Sequence, residues 1–174
     1  MAGTIWRGQS PGSLKHYCIL IAYALSYYML ETVVVVDTNV FVGALMGESG
    51  ANRQVIRLCL ERKLEPIMGV ALYIEYKSLL SRKDLFVGCI LDKTERNELL
   101  DAFLSVCRWT PVYFLWRPNL KDEADNHVVE LAAAGGAPVI VTNNVRDFEG
   151  EQMDFLKIRA VSPGSFLKEL ETNI

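Results

Sequence analysis

The apolar positions of this chain change period along its length. Val33–Val36 is an unbroken run of four valines. A half-buried strand would show a polar residue at every second position, so four β-branched residues in a row predict a strand covered on both faces. Residues 52–63 instead carry Val55, Ile56 and Cys59 at helical spacing, one stripe of an amphipathic helix. Glu65–Met68 reads as a short strand, and Val70–Ser81 and Lys93–Val106 as two further helices. Residues 109–115 read as extended, and Pro118-Asn119 interrupts the chain. Residues 122–135 predict a helix stopped by Gly135-Gly136. Residues 138–142 (PVIVT) form a second buried strand, 157–161 a short last strand, and 163–170 a closing helix. Strands alternating with helices predict an α/β fold, a sandwich around a mainly parallel sheet.

The first 32 residues stand outside this pattern. Residues 17–30 (YCILIAYALSYYML) are an apolar run of fourteen. A membrane-spanning helix needs about 20, so no span is expected. Arg7, Lys15 and His16 imitate the basic start of a signal peptide, but the cleavage-like Ala22-Tyr23-Ala24 lies inside the apolar run rather than after it. Met29 as the true start is the favoured reading, with residues 1–28 as upstream sequence. A packed or interfacial helix is the next reading and secretion the last. The division expected is an extension over 1–32 and one domain over 33–174.

Composition narrows the function classes. With 51% hydrophobic and 22% charged residues, the chain suits a globular protein with a real core. A net charge of −3 lacks the basic excess of a general nucleic-acid binder, although local patches can override the total. Cys18, Cys59, Cys89 and Cys107 form no C-x-x-C pair and read as reduced thiols of a cytoplasmic protein. Two histidines, His16 and His127, leave almost no material for a His-rich zinc site.

The acids carry the candidate chemistry. Ligands of open α/β sheets bind beyond the carboxyl ends of the strands. Asp37 closes the valine run and Asp147 follows PVIVT, so parallel strands bring both to one edge. Glu75 lies at the border of the apolar stripe of its helix, near Leu72 and Leu79. Asp125 shares a face with Val128, Val129 and Ala132. Each acid also has an ordinary reading. Asp37 caps the next helix, Glu75 reaches solvent or Lys77 or Arg82, Asp122 and Asp125 form a capping box, and Asp147 makes a loop turn. Four acids converging at one sheet edge would repel one another unless a divalent cation neutralised them. Oxygen-only ligands suit Mg²⁺ or Mn²⁺.

In order, VVVVDTNVFVGAL, IEYKSLLSR, PNLKDEADNHVVELAAAGGAPVIVTNNVRDF and AVSPGSFLKEL resemble the PIN-domain family, in its branch of VapC-like toxin components of toxin–antitoxin systems. The resemblance spans residues 33–170. It implies a compact three-layer α/β/α PIN-like fold with a central mainly parallel sheet, a metal-dependent ribonuclease using Mg²⁺ or Mn²⁺, an RNA substrate, a cognate antitoxin and a homodimer. It places the family's acids on Asp37, Glu75, Asp125 and Asp147, with Asp122 in support. Thr38, Asn39, Asn126, Thr142 and Asn144 match the polar residues around that cluster. The extension falls outside the family's pattern, and MGV at 68–70 lacks the small polar residues expected ahead of the Glu75 helix. Arg53, Arg57, Lys77, Arg82, Lys83 and Arg146 are the cations available to grip a substrate. A haloacid-dehalogenase-type phosphatase also opens with a buried strand and an Asp, but wants a second Asp where this chain has Asn39. A catalytically silent scaffold of the same fold is the main alternative.

Overall fold

The computed structural model describes residues 32–47, 50–113 and 125–172. Asp122, the Pro118-Asn119 break and the 17–30 run lie outside the described residues. Strand β1, Val33–Val36, occupies the middle of a five-stranded sheet of order β3-β2-β1-β4-β5. The others are β2 (Glu65–Met68), β3 (Arg108–Trp109), β4 (Val139–Val141) and β5 (Arg159–Val161). Every pairing is parallel, with Val34, Val35 and Val36 opposite Val139, Ile140 and Val141. The central position explains the valine run, since Val34, Val35 and Val36 are fully covered.

Helices α1 (Thr38–Met46) and α2 (Gly50–Leu60) join β1 to β2. Helices α3 (Val70–Ser81) and α4 (Lys93–Val106) join β2 to β3. Helix α5 (Asn126–Gly135) precedes β4, α6 (Glu151–Leu156) precedes β5, and α7 (Pro163–Thr172) closes the chain. The chain moves outward from β1 to β3 and then returns across the sheet to β4. Right-handed crossovers therefore place α5 on the face opposite the earlier helices. Helix α5 packs on β1, β2 and β4, whereas α1 packs on α2 and α3. This is the parallel α/β sandwich expected from the alternation of elements, in the three layers that the family resemblance implies.

On one face, Phe41 of α1, Tyr76 of α3 and Phe103 of α4 form a ring cluster with centroids 5.3 to 6.0 Å apart. Buried rings of this kind each contribute roughly 1.5–3 kcal/mol through burial. On the other face, α5 buries Val128, Val129, Leu131 and Ala132.

Three elements depart from the sequence reading. Helix α1 had no assignment, because TNVFVGALM buries Thr38, Val40, Phe41, Gly43, Ala44 and Leu45 and so shows no polar stripe. Helix α6 is only six residues long, too short to display a period. Strand β3 begins at Arg108 rather than 109 and is two residues long, its ladder extended by the Thr110 N–H donating to the Met68 carbonyl at 2.9 Å.

Candidate active site

The sheet order sets where a site can form. The chain leaves β1 toward β2 and later returns to lay β4 on the other side of β1. The connections diverge between β1 and β4, and a crevice opens at the carboxyl ends of those two strands. Asp37 follows β1 there and Thr142 follows β4. Their backbones are set by the ladder, with the Asp37 N–H donating to Val141 and the Thr142 N–H to Val161.

Asp37 occupies the N-cap position of α1, yet its side chain makes no capping bond. The carboxylate turns instead to side chains at the ends of β1 and β4. Its Oδ2 accepts from the Thr142 hydroxyl at 2.6 Å and from Asn39 Nδ2 at 2.8 Å. Thr142 Oγ1, having given its proton to Asp37, accepts from Asn39 Nδ2 at 3.1 Å and from the Asn144 N–H at 3.0 Å. Asn39 is itself held by Asn143, which donates its N–H to Asn39 Oδ1 at 3.0 Å and its Nδ2 to the Asn39 carbonyl at 3.2 Å. Thr142 is fully buried and Asp37 is 6% exposed.

Helix α3 delivers the second acid. Tyr76, fully buried, donates its hydroxyl to the Val36 carbonyl at 2.9 Å and so pins α3 to the end of β1. Its neighbour Glu75 is thereby brought beside α1. Thr38 donates to Glu75 Oε1 at 2.6 Å, while its oxygen lies 3.3 Å from Asp37 Oδ1. One hydroxyl thus sits between two carboxylates. On its other side Glu75 Oε2 pairs with His127 Nε2 of α5 at 2.9 Å.

These environments push the two acids apart. Burial raises the Asp37 carboxyl above its ordinary range, and the charge of Glu75 adds to that, while bonds from Thr142, Asn39 and Thr38 oppose it. Burial acts on Glu75 in the same sense, but the bonds from His127 and Thr38 together outweigh it and hold that carboxyl below its usual range. A raised and a lowered acid a hydroxyl apart make an oxygen-rich, anionic crevice. That donor set suits a hard divalent cation.

The remaining candidates are placed less tightly. Asp125 is the N-cap of α5, two residues before His127. Asp147 lies in the 3-10 turn Val145–Phe148 just beyond β4. Asn126 is buried, and its Oδ1 meets no hydrogen-bond partner among the described residues. Among the described residues, no group of three or more His, Cys, Asp or Glu side chains stands close enough to hold a metal. Asp37 and Glu75 are therefore gathered into one network, and Asp125 and Asp147 share its edge of the sheet without joining them as a ligand trio. Of the six cations, Arg53 donates to the Ala44 carbonyl at 3.1 Å, and all six are exposed. Three residues of the network escaped sequence reasoning. Tyr76 is indistinguishable from an ordinary core aromatic, Asn143 is masked by the Asn144 beside it, and His127 is a lone histidine whose partner lies on another helix.

The PIN domain family matches residues 33–146 of this chain, a span that contains Asp37, Glu75 and Asp125 and stops one residue short of Asp147. No curated protein matches the chain. Among solved structures, the chain is similar to one in the crystal structure of VapBC2 from Rickettsia felis bound to a DNA fragment from their promoter. The two are 16% identical with a TM-score of 0.50, over 75% of this chain and 98% of that one. At that identity the likeness is one of fold.

Proposed function

The chain belongs to the PIN-domain family, and from that premise we propose that it is a metal-dependent endoribonuclease, the toxin of a toxin–antitoxin pair acting in the cytoplasm. The observation that carries this reading is the Asp37 carboxylate: buried at the switch point, ringed by Thr142 and Asn39, and separated from Glu75 by the Thr38 hydroxyl. A protein keeps a buried carboxylate beside a second one only at a cost in stability, which a bound cation would offset.

Asp37, Asp125 and Asp147 would hold Mg²⁺ or Mn²⁺, with Asp122 in support, and Glu75 would complete the shell or orient the attacking water. The cation, when bound, lowers the pKa of its water and balances charge on the phosphate. Thr38 keeps the two carboxylates in register. Asn39, Thr142 and Asn144 position phosphate or water, with Asn126 as a further polar residue of the set. Arg53, Arg57, Lys77, Arg82, Lys83 and Arg146 steer the RNA backbone toward the edge. Hydrolysis would leave a 5′-phosphate and a 3′-hydroxyl. The VapBC2 neighbour supports a cognate antitoxin as partner, and a homodimer is proposed on family grounds. No helix among the described residues is long and apolar enough to cross a membrane.

A silent scaffold is the second reading, favoured because among the described residues no three such side chains gather into a metal-holding group. Incubation of the full chain with 5′-labelled RNA in Mg²⁺, Mn²⁺ or EDTA separates the two. Metal-dependent cleavage that disappears in Asp37→Asn is expected. Equal cleavage by the variant, or none by a folded parent, contradicts the nuclease.

A further inference from the structure

We propose that His127 is a positioning residue of this site: its imidazole fixes the Glu75 carboxylate in the orientation from which that group engages Thr38. The inference rests on the nuclease reading and adds to it a residue with no role there.

The geometry is a continuous chain of polar contacts. His127 Nε2 lies 2.9 Å from Glu75 Oε2, a close polar contact whose N–H direction falls short of hydrogen-bond geometry. Glu75 Oε1 accepts from Thr38 at 2.6 Å, and the Thr38 oxygen lies 3.3 Å from Asp37 Oδ1. A carboxylate offers about four acceptor positions, so two contacts leave about two for water or a cation. What the contacts remove is rotation. Glu75 is attached through a flexible stem and its side chain is 37% exposed, so packing alone does not fix it. Held at Oε2 from α5 and at Oε1 from α1, the carboxylate plane is defined from two separate helices. With His127 gone, one bond remains and the group is able to swing toward solvent. Thr38 would then turn to Asp37 instead, and both acids would change their presentation to the crevice.

A purely structural role makes a different forecast. A contact that only fastened the two helices would show its loss first in the unfolding midpoint, with metal affinity and kcat following it down. Partners that orient a metal-binding carboxylate are not dispensable: their loss costs roughly 10–100-fold in metal affinity or activity. The two roles therefore separate by readout.

His127→Leu and His127→Gln in the full chain make the test, read by Mn²⁺ titration calorimetry, thermal unfolding, and kcat and KM on RNA. Gln can place an N–H donor toward Glu75, and Leu cannot. The expected result is that Leu weakens Mn²⁺ binding and kcat roughly 10–100-fold, with KM and the unfolding midpoint close to the parent, and that Gln restores most of both. The inference is overturned if Leu matches the parent, or if Leu and Gln fail equally while the unfolding midpoint falls, which is a packing defect. A parent that neither binds Mn²⁺ nor cuts RNA overturns the nuclease reading and this inference together. An active parent with an equally active Leu variant overturns the inference alone.

Discussion

At the scale of single residues, the site is governed by how few protons its hydroxyls have. Thr142 gives its one proton to Asp37 and can then only accept from Asn39 and Asn144, which is how it is placed. Thr142→Val keeps the shape and removes both functions. It leaves the buried Asp37 carboxylate short of a donor and takes the acceptor from the part-buried Asn144 N–H. Loss of buried polar partners costs about 1–3 kcal/mol, so urea unfolding should show a deficit of that size. An unchanged midpoint would mean that water replaces the hydroxyl without cost. Residues of this kind were partly legible in the sequence. Asp37, Thr38 and Asn39 stand out because polar groups follow an apolar run, whereas Thr142 is singled out only by the family resemblance. His127 and Tyr76 were not legible, because their roles depend on contacts from one helix to another element, which no local period encodes.

At the scale of elements, three close approaches set the register of the helices around the crevice. Tyr76 ties α3 to β1. Gly69 opens α3, and a Cβ there would stand 3.0 Å from Leu131 Cδ1 of α5, which gives a packing reason for a glycine where a small polar cap was expected. Gly43 brings α1 against α2: an added Cβ would meet the Asn52 amide nitrogen at 2.2 Å and its Cγ at 3.2 Å. Asn52 is buried, so it has little room to withdraw. Gly43→Ala should therefore push α2 away from the helix that carries Thr38 and Asn39. Overpacking of this sort costs about 1–3 kcal/mol, and differential scanning calorimetry would register it as a lowered midpoint. A midpoint at or above the parent's would show that Asn52 re-seats freely. The strands and the helices α2 to α4 were readable from periodicity, as were the last strand and closing helix to within a few residues. Helix α1 was not, since a helix buried on nearly every side looks like any other apolar segment.

At the scale of the whole molecule, strand order decides what the acids can do. A different return path for β4 would separate Asp37 from Thr142 and leave no crevice between them. The order β3-β2-β1-β4-β5 instead puts a buried carboxylate at the switch point, with a second one a hydroxyl away. A buried carboxylate beside a second one weakens the fold unless a cation neutralises it. Asn at position 37 would relieve the cost directly. Its oxygen can take the bonds from Thr142 and Asn39, and its amide can donate to Thr38, which donates on to Glu75. The same substitution should therefore move stability and metal response in opposite directions.

Thermal unfolding of the full chain and of Asp37→Asn across a Mn²⁺ titration measures both at once. In EDTA the variant should unfold at or a few degrees above the parent, since about 1 kcal/mol moves the midpoint by about 2–4 °C at this chain length. At Mn²⁺ about 100-fold above its dissociation constant the parent should gain roughly 5–10 °C, the equivalent of about 2.7 kcal/mol, and overtake the variant, which gains little. Equal gains in both proteins, or no gain in the parent, would contradict a cation site at Asp37.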